Sequence, residues 1–319
     1  MKKTFKRFLT ESQHLPHWPK NKEELIVAYQ KIMIEEETGE VMMPIFYDDE
    51  HPSDSMIGQN TMFGQKPKVI FNDDLTISIA QHHHGRVQIH RWMLVDGQLP
   101  FPFKDVGIEF SVEKGCQLKS LAGVPRKCVS FCVWYDGLAD GVTDFIGGPE
   151  EVEESYIIQL CPSIKSSAGL PKSLSGAKLE LACVNLQDFS YLPNDLDALV
   201  LGHSPHFTEE HLKYLPSHAK EINFTKLPGL TSFHNIHKYV KSVKKIGSFE
   251  VKISSSILGL SMISDLEEVD DCFYDVNSDD KDWPSDGIFD LVSKYIVTHE
   301  VFDFQEALND LGLTELAKL

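Results

Sequence analysis

Four histidines are the residues of this sequence whose type and spacing most directly suggest chemistry. His82, His83 and His84 are consecutive, and His90 follows closely. Imidazole nitrogens are common zinc ligands. On a strand, however, only His82 and His84 would point to the same side, and no acidic residue or cysteine lies nearby at ligand spacing. We therefore predict a solvated turn between two strands, with no metal and no other cofactor.

A second chemical candidate is the segment LVLGHSPH at residues 199–206. A strand followed by Gly-x-Ser is the pattern of a hydrolase nucleophile elbow, with Ser204 as the nucleophile. His206 stands where that motif needs a second glycine, and Pro205 lacks the backbone N–H that would serve the oxyanion hole. We therefore expect no catalytic residues. A hydrolase at Ser204, or a metal-dependent enzyme at the histidine cluster, is the alternative.

Composition narrows the classes of partner. The formal net charge of -18 argues against general binding to nucleic acid or an anionic membrane, because phosphate binding needs clustered Lys and Arg. No run approaches the roughly 18 uninterrupted apolar residues of a membrane span. Irregular spacing of the cysteines predicts buried, reduced thiols. The six are Cys116, Cys128, Cys132, Cys161, Cys183 and Cys272.

A repeat between about residues 111 and 245 organises the chain. Each copy has two apolar residues three apart, a proline, an apolar residue three or four positions later, and a short β-prone run. The prolines follow one another in steps of 22 to 24 residues, within the range expected of leucine-rich repeats. They are Pro125, Pro149, Pro171, Pro193 and Pro216, with His237 at the equivalent place in a sixth copy.

The repeat predicts a β-rich, leucine-rich-repeat-like solenoid of the α/β repeat class, with a β-sandwich as the alternative. The run after each proline alternates apolar and polar residues, as a strand with one buried face does. Proline removes a backbone donor and ends the preceding turn. Because no single unit can bury its apolar edge alone, stacked units should share a core.

Outward positions of these strands are the predicted binding surface, since a concave strand face is the usual binding face of such solenoids. They are Cys132, Trp134, Glu180, Val200 and Asn223. Trp134, together with Trp92 and Tyr135, is either an anchor for a partner or part of the core. We expect the partner to be a protein.

Two copies carry a family resemblance. LKSLAGVPRKCV and IKSSAGLPKSL resemble the repeat units of leucine-rich-repeat-like proteins of T-even-like tailed phages. The resemblance spans roughly residues 67–319. It implies the solenoid architecture and almost nothing about activity. The chain departs from the standard repeat because a regular Asn after each strand is missing.

The two ends are predicted to differ from the repeats. An Asn21–Glu24 capping box should begin a helix in EELIVAYQKIMIEEE, and EVMMPIFY reads as a strand. Apolar periodicity predicts a helix that starts at Ser285 or Asp286, and an Asp303–Glu306 capping box predicts a second one, the two together capping the solenoid. The predicted organisation is a leader, a helix and strand region, a repeat solenoid with its opening units, and an acidic loop with a helical cap. Their bounds are 1–11, 12–66, 67–270 and 271–319.

The segment MKKTFKRFLTE is similar to the capsid-targeting peptide of T-even-like phage internal head proteins. That resemblance implies cleavage after Glu11 and before Ser12, with Leu9 completing the protease site. A basic amphipathic helix at the N-terminus is the equally weighted alternative. The functional expectation is a phage solenoid that binds a host or virion protein, in the virion head or the host cytoplasm. A structural virion protein is a further alternative.

Overall fold

The computed structural model divides into two compact units, residues 1–171 and 172–319. It describes residues 18–32, 69–80, 86–249 and 255–269, with isolated positions 294, 297, 298, 305, 306 and 309. No helix among these residues is both long enough and apolar enough to cross a bilayer.

Besides a short 3₁₀ helix at Arg91–Met93, the first unit contains one described α-helix and six strands. They are α1 (Lys22–Ile32), β1 (Val69–Phe71), β2 (Ile77–Ile79), β3 (Arg86–Ile89), β4 (Phe103–Val112), β5 (Lys127–Trp134) and β6 (Glu151–Gln159). β1 pairs antiparallel with β2, while β2 and β3 both lie parallel to β4. β4, β5 and β6 then pair in parallel in chain order. Parallel pairing in chain order is the topology of a repeat solenoid.

The second unit repeats this arrangement. Its strands are β7 (Ser173–Ala182), β8 (Asp195–Gly202), β9 (His218–Thr225), β10 (Ser242–Phe249) and β11 (Glu268–Val269). Each pairs in parallel with the next. The predicted parallel-strand solenoid is therefore confirmed for each unit. The division after Pro171 lies inside residues 67–270, which the sequence predicted as one repeat solenoid.

The repeat prolines mark where strands begin. β5, β6, β7, β8 and β9 each start two residues after the proline of their repeat, and all five prolines are buried. A proline has no N–H to donate, so it fits the corner before the backbone enters the ladder. The prediction of a strand after each proline is confirmed.

The connections between strands are tight turns. Buried residues recur every third position after β7, at Cys183, Leu186, Phe189 and Leu192. The N–H of Leu186 donates to Cys183 O at 3.1 Å, and that of Leu192 to Phe189 O at 3.3 Å. Within residues 86–249 the connections contain turns and short 3₁₀ helices but no α-helix. The segment that connects two strands therefore buries every third residue, as the three residues per turn of 3₁₀ geometry allow.

Stacked aromatic rings fill the interior of each unit. In the first unit, successive ring centroids lie 5.2, 6.2 and 5.1 Å apart along Phe103, Phe110, Phe131 and Tyr156. In the second, Phe189 and Phe207 meet edge to face at 4.9 Å. Each repeat thus supplies rings that the next repeat covers, and such pairs add about 0.5–1.5 kcal/mol beyond the area they bury.

The N-terminal helix begins as predicted. Asn21 Oδ1 accepts from the N–H of Glu24 at 2.8 Å, and Asn21 Nδ2 donates to Glu24 Oε1 at 3.0 Å. Leu25 is fully buried, and the Tyr29 ring packs against Phe71 at 5.4 Å. Burial raises the pKa of Tyr29 to about 12. α1 is therefore joined to the first unit through its apolar side.

Several expectations fall outside the described residues. These are the leader at 1–11, the strand EVMMPIFY, and most of the two C-terminal helices predicted from Ser285 and Asp303 onwards, of which only isolated positions are described. The helical C-terminal cap remains a prediction.

Gly169→Ala should destabilise the first unit strongly. Gly169 has φ +92°, and an added Cβ would lie 2.3 Å from both Ile146 N and the Phe145 carbonyl carbon. Left-handed strain and overpacking together should cost about 2–5 kcal/mol of unfolding free energy. Denaturant unfolding followed by circular dichroism measures the loss.

Gly115→Ala is the matched control for that substitution. Gly115 has φ +71°, but a Cβ added there would have no atom of the described residues within 4 Å. Strain alone should cost about 1–2 kcal/mol. Equal losses in the two variants would show that the close approach at Gly169 is not present in solution.

Candidate binding faces

Side-chain alternation gives the first unit an outward face. Val87 and Ile89 on β3 are buried in the core, as are Phe110 and Val112 on β4. Successive side chains of a strand point to opposite sides, so the residues between these point away from the core. We call the outward positions of β3 to β6, with the residues directly following β3 and β4, the first outward face.

One row of this face runs across four strands. Strand register aligns Gln88 with Ser111, Ser111 with Cys132, and Cys132 with Ile157. Ser111 is 1% exposed and Cys132 is 3% exposed. The structure thus places Cys132 at an outward position, as expected, but its side chain is buried. The expectation that Cys132 lines an accessible surface is therefore wrong.

The next row places charged and aromatic groups side by side. His90 and Glu113 follow β3 and β4, and the N–H of Glu113 donates to Ile89 O at 3.0 Å. His90 Nδ1 hydrogen bonds to Glu113 Oε2. The same row continues through Trp134, which is half-buried and opposite Gln159. The predicted binding residue Trp134 therefore neighbours a histidine–carboxylate pair.

Exposed rings border this row. Trp92 is 53% exposed and stacks on the His90 ring at 6.0 Å. Tyr135 is 42% exposed, and Lys114 Nζ lies 5.3 Å from its ring centroid. Tyr135 and Asp136 have φ of 27° and 56°, a left-handed conformation that is uncommon for residues with bulky side chains. The turn thus holds an aromatic side chain outward at a conformational cost.

The second unit has its own outward row, made of residues predicted from the sequence. Register aligns Glu180 on β7 with Val200 on β8, and Val200 with Asn223 on β9. All three are partly exposed. Lys178 Nζ lies 2.8 Å from Glu180 Oε2, and Asn223 Nδ2 donates to Glu221 Oε1 at 2.6 Å. We call the outward positions of β7 to β9 the second outward face.

Ser204 lies inside the second unit. It is fully buried, and its Oγ is 2.9 Å from Cys183 O and 3.1 Å from Gly202 O, where it can donate its proton. Three residues later Phe207 is also buried, the same spacing that separates Cys183 from Leu186. Ser204 therefore occupies the corner position that Cys183 occupies one repeat earlier.

The histidine cluster His82–His84 lies outside the described residues. Within the part of the chain that the structure describes, no group of three or more His, Cys, Asp and Glu side chains is arranged to hold a metal ion. Sequence reasoning singled out His90 only as a metal ligand. Its pairing with Glu113 has no local signal, because the two residues meet through strand register.

No protein-family model, no curated protein and no solved structure matches this chain.

Ser204→Ala should lower the unfolding free energy by about 1–2 kcal/mol, since it removes a buried hydrogen bond to backbone carbonyls. Ser190→Ala is the control: Ser190 Oγ also donates, to Asp188 Oδ1, but on the exposed surface. That change should stay within about 0.5 kcal/mol. Urea unfolding of both variants tests the buried position; an undiminished stability of Ser204→Ala would contradict it.

His211 should make the second unit less stable in acid. Its Nδ1 accepts from the N–H of Thr208 at 3.1 Å, which requires the neutral ring. Desolvation lowers the pKa of His211 below 6.5, partly opposed by Glu210 and reinforced by Lys213. The folded state favours the neutral imidazole of His211. The folding stability that this contributes is present above pH 6.5 and is lost as the pH falls through the lowered pKa of His211.

The check is the urea midpoint of the wild type and of His211→Gln between pH 7.5 and 5.5. Glutamine keeps an acceptor without titrating in this range, so the variant should lose less stability on acidification. His218→Gln, at an exposed histidine, is the control and should keep the wild-type slope. Identical slopes for all three proteins would contradict the assignment to His211.

Proposed function

We propose that this chain is a repeat protein that binds a protein partner through its second outward face. It acts by occupying a surface of the partner and catalyses no reaction. The observation that carries the proposal is the row formed by Glu180, Val200 and Asn223 across three parallel strands. Strand faces of stacked repeats are extended surfaces suited to protein recognition.

The chemistry of the row fits a protein partner. An aliphatic side chain, Val200, lies between an acidic and an amide side chain, so apolar contact is flanked by groups that fix orientation. The next outward row along the same strands contains Ala182, Gly202 and Thr225. Ala182 and Gly202 are buried, so the partly exposed Thr225 is the member of this row that a partner can contact.

The position of Ser204 favours binding over hydrolysis. A nucleophilic hydroxyl must reach substrate and a general base. The Ser204 hydroxyl is fully buried and lies within hydrogen-bonding distance of two backbone carbonyls. The metal-dependent alternative rests on His82–His84, outside the described residues.

We further propose that the chain belongs to the leucine-rich-repeat-like proteins of T-even-like phages and works in the virion head or the host cytoplasm. This proposal rests on LKSLAGVPRKCV and on the MKKTFKRFLTE leader. N-terminal sequencing of the protein from purified phage particles tests it. A start at Ser12 supports packaging and processing, while absence from particles removes the head location and the structural virion alternative.

Glu180→Lys combined with Asn223→Arg should abolish partner binding, because bulky basic groups would replace the polar flanks of the row. We expect at least a hundredfold weaker binding, as for loss of several central interface contacts. The partner would first be identified by capture from infected cells, and its affinity then measured by titration calorimetry with the purified chain.

Glu210→Lys combined with Asn194→Arg is the matched control. Both residues are exposed in the second unit and lie away from the outward row, and the pair changes the net charge equally. Both double variants should retain the wild-type melting temperature within a few degrees. Full-affinity binding by the Glu180/Asn223 variant would show that the partner uses another face.

A further inference from the structure

Three neighbouring polar atoms on the first outward face are buried and have no hydrogen-bond partner among the residues that the structure describes. They are Gln88 Oε1, His90 Nε2 and Ser111 Oγ. Gln88 lies opposite Ser111 in the β3–β4 register, and His90 is two residues further on the same side of β3. Buried polar groups are nearly always hydrogen bonded, and each unmet one costs about 1–3 kcal/mol. Three together mark a site that a ligand would complete.

The histidine of this cluster is held in a defined orientation. Its Nδ1 hydrogen bonds to the Glu113 carboxylate, and its ring stacks on Trp92 with an interplanar angle of 9°. When Nδ1 donates its proton to the carboxylate, Nε2 presents a lone pair. Gln88 Oε1 and Ser111 Oγ are acceptors as well. With His90 Nδ1 as the donor to Glu113, the site offers three acceptor atoms from three side chains.

Charges around the cluster favour a cation. Arg86 faces Glu109, with Arg86 Nη1 3.9 Å from Glu109 Oε1. The Lys114 ammonium lies over the Tyr135 ring. The Glu113 carboxylate is next to the cluster, where it hydrogen bonds to His90 Nδ1. A positive ligand group would thus gain a nearby carboxylate.

We propose that this cluster binds a primary ammonium group, supplied by a lysine side chain of a protein partner. An ammonium has three donors and no acceptor, which matches a cluster of three neighbouring acceptors, whereas the planar guanidinium of arginine suits a flat, bidentate partner. Trp134, half-buried in the neighbouring row, offers an aromatic face for the aliphatic stem and the charge. This site lies in the first unit, so it goes beyond the proposed function.

The experiment uses the full chain with ¹⁵N-labelled histidine and glutamine, titrated with Nα-acetyl-lysine methylamide at constant pH. Binding should shift the ¹⁵N resonance of His90 Nε2 and the Gln88 side-chain amide. The Nε-acetylated analogue, which lacks the ammonium, should shift neither. n-Butylamine distinguishes a lysine side chain from a free amine as the ligand. Weaker binding of n-butylamine than of the lysine probe supports a lysine side chain, and tighter binding overturns that assignment in favour of a free amine.

Ser111→Ala should weaken binding of the lysine probe about tenfold, the usual effect of one hydrogen bond to a charged group. Ser155→Ala, the same change on an outward serine two strands away, should leave the affinity unchanged. Without the probe, Ser111→Ala should keep or raise the unfolding midpoint, because it removes an unmet buried hydroxyl.

Three further results would overturn the proposal. They are the absence of any shift at millimolar lysine probe, equal shifts with the Nε-acetylated analogue, and equal affinity of Ser111→Ala and Ser155→Ala. None of them bears on the second outward face, whose test uses different residues and a different partner measurement.

Discussion

The rest of each unit depends on one constraint: a repeat cannot bury its apolar edge alone. Its strand supplies one row of hydrogen bonds and its side chains one layer of core, and both are completed only by a neighbour. The inward residues of β7 and β8 illustrate this, since Leu179 pairs in register with Leu199 and Leu181 with Leu201, all of them fully buried. The ladder and the core are thus parts of one interaction between adjacent repeats.

That interaction also determines what the outward faces contain. Once the leucines of β7 and β8 point inward, the period of two in a strand places Glu180 and Val200 on the opposite side. Because neighbouring strands are parallel and in register, equivalent residues become neighbours in space. Rows of functional groups therefore arise from residues about 20 positions apart in the chain. A short linear motif could not produce the same arrangement.

The connecting segments show how a structural corner can resemble a catalytic motif. The turn after β8 carries Gly-x-Ser, yet the serine hydroxyl lies within hydrogen-bonding distance of carbonyls at the end of β8 and after β7. One repeat earlier the equivalent corner holds Cys183, another small residue that is fully buried. A corner this narrow selects for small side chains. Serine meets that requirement.

Much of the fold could be predicted from the sequence, because its signals are local. Proline spacing located the starts of β5 to β9, alternation located most of their inward residues, and a capping box located the beginning of α1. Those features depend on the backbone angle φ, on which residues have an N–H to donate, and on the alternation of side chains along a strand. Residues within one repeat determine all three. Glu180, Val200 and Asn223 were likewise identifiable as outward positions, each from its own strand.

What only the tertiary structure decided involves residues from different repeats. The burial of Cys132, the pairing of His90 with Glu113, and the gathering of three buried polar atoms that lack a partner among the described residues depend on how β3, β4 and β5 align. A shift of one residue in strand register moves every side chain to the other face. Register between strands is a non-local quantity, so composition and spacing within one repeat do not specify which polar groups meet.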